Sequence, residues 1–181
     1  MYFRKVMSLA MQYWSRRALP KGYWKKRRHL AYYGKVLSLA KAYCHDGGQV
    51  LDVGAADTEI VAEMDWVTRR VALDRYPIAR LAPLESLTID FMQYAPPRRF
   101  DLVLCLQVLE HVQAPSPFAQ RLFETGNIVI ISVPYKWPRG FCRHHLQDPI
   151  DETKLYDWTQ RDPVETVIVA DGLERLIAVY R

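Results

Sequence analysis

A chain of 181 residues, half of them hydrophobic and a quarter charged, is long enough to enclose a core and too apolar to be disordered or fibrous. It contains no uninterrupted apolar run of about 18 residues, which argues against a membrane-spanning helix, and its three separated cysteines, Cys44, Cys105 and Cys142, form no CxxC pair, which argues against a disulfide framework or a cysteine-based zinc site and for a reducing, cytoplasmic compartment. The net charge of +5 conceals an asymmetry, because residues 1–45 hold 11 Lys or Arg and no Asp or Glu, while the other 136 residues carry 14 basic and 20 acidic side chains.

At the start of the chain Phe3, Val6, Met7, Ala10 and Trp14 recur at helical spacing, which predicts an amphipathic helix ending before Pro20 and Gly22. A second helix is expected over 23–43, with Leu30, Tyr33, Leu37, Ala40 and Cys44 as its apolar stripe and Lys25, Lys26, Arg27 and Arg28 crowding its first turns. Cations at a helix start oppose the macrodipole, so this cluster reads as serving something other than helix stability. An acid-free basic arm suits an anionic membrane surface, a nucleic acid or a phosphate-bearing substrate; the plainer reading is a stripe packed on the domain with solvated cations. The chain thus divides into a basic, aromatic-rich helical arm, residues 1–47, and an α/β domain, residues 48–181. With the arm as an attachment device, the protein would be cytoplasmic and peripheral to a membrane.

After the turn at 45–48, strands are predicted at 50–53, 70–73, 87–89, 100–106 and 127–133, spaced widely enough for crossover connections and therefore a mostly parallel sheet. Just past the first strand a helix-like segment is expected, whose N-terminus would offer free N–H groups to a ligand. At the end of the chain, 164–170 and 173–180 flank Asp171-Gly172, a strong hairpin signal that adds an antiparallel strand near one edge. Segments 94–99 and 134–149 read as loops, and the second, rich in aromatic, basic and imidazole side chains, is the candidate substrate region.

Ligands of open α/β sheets sit beyond the carboxyl ends of the strands. The first strand brings Asp52 and Gly54 there, the second Asp74, the third Asp90, the fourth Leu106 and Gln107, and the fifth Ser132. A carboxylate at the position of Asp74 can accept both hydroxyls of a ribose. A dinucleotide fingerprint would need small residues at 54, 56 and 59, and Glu59 is bulky and anionic where a pyrophosphate would lie. As a plainer alternative, Asp74 and Asp90 would cap helices or form turns.

These pieces, Val50-Leu-Asp-Val-Gly54, Val71-Ala-Leu-Asp74, Ile89-Asp90-Phe91 and above all Phe100 to Val112 with its Leu-Glu-His-Val ending, together resemble the class I S-adenosylmethionine-dependent methyltransferases over residues 48–181. The resemblance implies a Rossmann-like, seven-stranded sheet of order 3-2-1-4-5-7-6. It implies S-adenosylmethionine as cofactor, its methionine part against Gly54 and the backbone near Asp52 and Leu106, its ribose on Asp74, and its adenine between Asp90 and Phe91 or Met92, with Ala56 and Gln107 completing the rim. The implied reaction is methyl transfer to oxygen or nitrogen of a small molecule or glycan intermediate. His111 then reads as the base and Glu110 as its companion, or else both sit at the start of the next helix. Tyr135, Trp137, Arg139, His144, His145 and Asp148 are the candidate substrate contacts, or loop structure; their spacing matches no metal motif and no metal is expected. One departure stands out: the family's glycine-rich loop keeps only Gly54 here, with Ala56 and Thr58 at positions where glycine is usual. That departure sets up a rival expectation, a non-catalytic module whose basic arm binds membrane, nucleic acid or a partner protein.

Overall fold

The computed structural model describes residues 23–77 and 84–181; the helix expected over the first 20 residues lies outside them. Seven strands make one sheet: β1 (Gln49–Val53), β2 (Arg69–Asp74), β3 (Glu85–Thr88), β4 (Phe100–Leu106), β5 (Gly126–Pro134), β6 (Glu165–Asp171) and β7 (Leu173–Tyr180). Their spatial order is β3-β2-β1-β4-β5-β7-β6, with β7 antiparallel to both its neighbours and the other pairings parallel. This is the expected sheet with its terminal hairpin, whose turn residue Gly172 sits at φ 76°.

The strand period of two divides the apolar residues between two cores. Leu51, Val53, Val103 and Ile131 face α3 (Pro115–Thr125) and α4 (Glu152–Thr159), packing with Leu122, Phe123 and Trp158. Val50, Leu102, Leu104 and Ile130 face the other way, onto α1 (Tyr23–Arg27) and α2 (Ala31–Tyr43), where Trp24, Tyr32, Tyr33, Val36, Leu39 and Ala40 are buried. Burial on both faces explains why the central strands read as continuous apolar runs. The edges are managed differently. β3 is only four residues long and is bridged by Arg69 to Glu85 through paired bonds of 2.9 and 3.0 Å, while β6 alternates exposed and half-buried positions.

Two local expectations are corrected. The helix expected over 23–43 is broken at residues 28–30, so Lys25, Lys26 and Arg27 lie in the last turn of α1, where the helix dipole favours cations, rather than in the first turns of one long helix. The new start at Ala31 has no cap of its own; Asp171, at the tip of the terminal hairpin, accepts the N–H groups of Ala31 at 3.2 Å and Tyr32 at 2.7 Å. Its buried face is Tyr32, Tyr33, Val36, Leu39 and Ala40, so the stripe is rotated and leaves Leu30 and Leu37 half-buried. The helix-like segment after Gly54 is one 3-10 turn, Ile60–Glu63. Thr58 explains this locally, since its hydroxyl bonds back to the Ala55 carbonyl at 2.8 Å and competes with helical pairing.

Candidate functional site

Parallel register brings the strand ends level. Val53 pairs with Leu73 and with Cys105, Asp74 with Thr88, and Leu106 with Ser132. Gly54, Asp74, Gln107 and Ser132 therefore share one rim of the sheet.

At the head of that rim Gly54 holds φ 75° and donates its N–H to the Leu73 carbonyl at 2.8 Å. A Cβ at this position would meet Val108 Cγ2 at 2.6 Å, so both conformation and space require glycine. Ala56 also lies in the left-handed region, at φ 54°, where a residue with a Cβ costs about 1–2 kcal/mol. Asp74 holds it there: Oδ2 accepts the Ala56 N–H at 2.9 Å and Oδ1 the Tyr76 N–H at 2.9 Å. The turn thus keeps a glycine-type backbone at a position without glycine, and in this respect the residues present fit a nucleoside cofactor. Both oxygens of Asp74 keep a further lone pair for ribose hydroxyls.

Beneath the turn, Asp52 is buried and accepts a bond from Thr58 Oγ1 at 3.3 Å. Burial, with the nearby Asp74 charge adding to it and the Thr58 bond opposing, pushes its pKa up to about 7. The folded protein therefore binds this proton more tightly than the unfolded chain, and the associated stability is present in acid and lost as pH rises through about 7. Between about pH 5 and about pH 8, wild type should lose about 2–3 kcal/mol of unfolding free energy relative to Asp52→Asn. Urea unfolding of both proteins at the two pH values checks this.

Asp90 caps a short 3-10 turn, accepting the Met92 N–H at 3.0 Å, and is held near Asp74 because Ile89 donates to the Asp74 carbonyl at 2.9 Å. Phe91 does not present a ring to the rim; it is 4% exposed and packs on Phe118 at 5.0 Å, while Met92 is exposed. Of the two side chains considered for the adenine ring, only Met92 is free of the core.

At the end of β4 the chain reverses sharply. Gln107 adopts φ 57°, gives its N–H to the Ser132 carbonyl at 2.9 Å and its amide to Ser132 Oγ at 3.3 Å, and Leu106 stays half-buried beside it. Ser132 Oγ also bonds the hydroxyl of Tyr32, which reaches the rim from α2. The reversal sends Glu110 inward and leaves His111 half-buried. Burial raises the Glu110 pKa to about 8, the charge of Asp148 adding to it and that of Arg175 opposing, and Glu110 Oε2 has no hydrogen-bond partner. His111 is shifted the other way, chiefly by burial, and its Nδ1 is 3.0 Å from the His144 carbonyl, so the neutral ring donates there.

The 134–149 loop folds over this cluster. His145 Nδ1 lies 2.7 Å from Asp148 Oδ2, its ring packs edge-on against His111 at 4.8 Å and is stacked on Trp137 at 5.6 Å. Trp137 is fixed by its indole N–H to the Glu174 carbonyl at 2.8 Å, and Tyr135 is turned away to Glu152 at 3.0 Å. Arg139 is exposed at the loop tip. Beside the cluster lies a cavity of about 550 Å³ lined by Arg27, Leu30, Trp137, Phe141, Arg143, His144 and Arg175 among others. The 23–30 segment and the loop thus build it together. Within the candidate substrate set, Trp137 and His144 line it, His145 and Asp148 support it, and Tyr135 and Arg139 do not border it.

Phe141 and Arg143 lie in the loop singled out in the sequence without being named there, and Arg175 and Tyr32 were missed altogether. Arg175 is 6% exposed, its guanidinium over the rings of Tyr32 at 5.3 Å and Trp137 at 5.7 Å. An arginine leading directly into the apolar run Leu176–Tyr180 of the terminal strand was the available signal. Tyr32 reads in sequence as one more aromatic on an amphipathic helix, and nothing local sets it apart. Lys25, Lys26 and Arg28 are exposed, and among the described residues no helix is long and apolar enough to cross a membrane.

The sequence model of a family described as a methyltransferase domain matches residues 23–169. A curated relative, the ubiquinone biosynthesis O-methyltransferase of Pseudomonas aeruginosa, is 30% identical over 111 residues, covering 52% of this chain and 48% of that protein; the chain spans about half the length of the curated relatives it matches. The N-methyltransferase NodS from Bradyrhizobium japonicum, solved with S-adenosylhomocysteine, superimposes with a TM-score of 0.72 at 17% identity, over 94% of this chain and 96% of that one. The Burkholderia thailandensis 1,6-didemethyltoxoflavin-N1-methyltransferase, solved with 1,6-didemethyltoxoflavin and S-adenosylhomocysteine, also gives 0.72, at 19% identity over 87% and 82%. At these identities the solved structures speak for the fold.

Proposed function

This chain belongs to the methyltransferase-domain family, and on that footing we propose that it transfers a methyl group from S-adenosylmethionine to oxygen or nitrogen of a small molecule or glycan intermediate. The observation that carries the reading is the Gly54–Ala56 turn, held in a left-handed backbone by Asp74 although two of the usual glycines are missing. The relatives with a bound S-adenosylhomocysteine support the choice of cofactor. When bound, the cofactor supplies a methyl group on a sulfonium; the chain has to align an acceptor with it and manage a proton.

Gly54, Asp74 and the backbone at Asp52 and Leu106 hold the cofactor, with Asp90 and Met92 toward its base. The acceptor enters the cavity between the 23–30 segment and the 134–149 loop. Trp137 and Phe141 give it an apolar wall, and Arg27, Arg143 and Arg175 give it positive charge, which suits an electron-rich or anionic acceptor. Its reacting atom lies toward His111, whose neutral ring takes the proton, with the buried Glu110 beside that ring as its companion. Calorimetric titration with S-adenosylhomocysteine should show one site per chain. Absence of binding at about millimolar ligand, the weak limit of specific recognition, removes the cofactor from this protein.

A further inference from the structure

We propose that Glu110, His111 and His145 bind a divalent transition-metal ion of the zinc type. One potential ligand atom from each lies within 4.8 Å of the other two, and His111 Nε2 is 4.0 Å from Glu110 Oε1. Bound zinc draws such donors to about 3.5 Å from one another, a closing that side-chain torsions supply.

The rings are already oriented for ligation. His111 Nδ1 lies 3.0 Å from the His144 carbonyl and His145 Nδ1 2.7 Å from the Asp148 carboxylate, contacts that engage Nδ1 of each ring and leave Nε2 as the nitrogen to ligate a metal. A carbonyl on one imidazole and a carboxylate on the other is the outer shell that metal-ligating histidines usually carry. Stacking on Trp137 fixes the second ring in place.

A separate observation points to the same place. Glu110 is 1% exposed, and its Oε2 has no hydrogen-bond partner. A buried carboxylate oxygen without a partner is costly unless a ligand completes it.

Two imidazoles and one carboxylate suit zinc and its transition-metal neighbours rather than calcium or magnesium, and three protein ligands leave a position open. His144 and Trp137, which adjoin the cluster, also line the cavity. With the ion on Nε2 of His111 that ring is no longer the base; an acceptor hydroxyl taking the open position would instead lose its proton to solvent more readily, as metal-bound water does. The oxygen then forms its bond to the methyl carbon as the carbon–sulfur bond breaks, sulfur keeping the electron pair. This step rests on the methyltransferase reading and selects oxygen over nitrogen acceptors; the metal site itself does not depend on it.

The test is titration of chelator-stripped full-length protein with zinc chloride by calorimetry, and with cobalt chloride by visible absorption. One ion per chain is expected, with cobalt bands of a nitrogen- and oxygen-ligated site. His145→Ala and Glu110→Gln should each weaken binding by at least about 100-fold, and Asp148→Asn by about 10–100-fold, while His29→Ala leaves it unchanged. Affinity indifferent to His145→Ala, or no site in wild type, overturns the proposal. S-adenosylhomocysteine binding is followed in parallel. If it persists without a metal site, the metal proposal alone falls; if zinc binds and the nucleoside does not, the methyltransferase reading falls and the site stands.

Discussion

Replacing Gly54 with alanine should lower the unfolding free energy by about 2–4 kcal/mol. Two costs add. A Cβ at φ 75° brings a left-handed penalty of about 1–2 kcal/mol, and crowding against Val108 Cγ2, 2.6 Å from that Cβ, adds about 1–3 kcal/mol. The smaller entropy of an unfolded alanine returns about 0.4–1 kcal/mol. Because the clash is with the far end of one side chain, Val108→Ala should relieve the crowding and leave the backbone penalty. Urea unfolding of the two single variants and the double variant separates the two, with an expected coupling of about 1–3 kcal/mol. An unchanged midpoint for the glycine variant would mean that the turn relaxes freely and is not a fixed cradle.

The second large effect concerns affinity. Asp74→Ala should weaken S-adenosylhomocysteine binding by about 1–3 kcal/mol, roughly 5- to 150-fold. The substitution acts in two ways. It removes the acceptors offered to the ribose, and it leaves the N–H groups of Ala56 and Tyr76 without their partner, so the left-handed turn loses its tether. Calorimetry for the nucleoside and thermal melting for the free protein keep these apart. A lower melting temperature with unchanged affinity would make Asp74 a turn former only and move the cofactor elsewhere.

How far these features could be read in advance follows from how local each one is. The β1 strand and its turn were legible because Val50, Leu51 and Val53 are buried from both sides and leave a short apolar run, interrupted only by Asp52, that ends at glycine. The terminal hairpin was legible because Asp171-Gly172 carries its own turn chemistry. Ala56 was not: in sequence it stands as a lost glycine, and only the carboxylate 18 positions later explains why the backbone keeps its shape. The break before Ala31 escaped periodicity for the same reason, since the cap that allows it lies on another element. His111 and His145 are 34 positions apart, and no spacing rule joins them; the loop brings them to 4.8 Å. The resemblance put Phe91 or Met92 against the adenine ring, but Phe91, three residues past the end of β3, is buried in the core.

The carboxylate of Asp171 on the start of α2 also has a meaning in time. Ala31 leaves the ribosome 140 residues before the group that caps it, and chains fold as they emerge, N-terminal parts first. Until the terminal hairpin forms, α2 has uncapped N–H groups and one sheet face waits for its cover. Completion of that face is therefore a late event of synthesis, and the cavity that Arg27 and Leu30 share with Arg175 cannot exist before it.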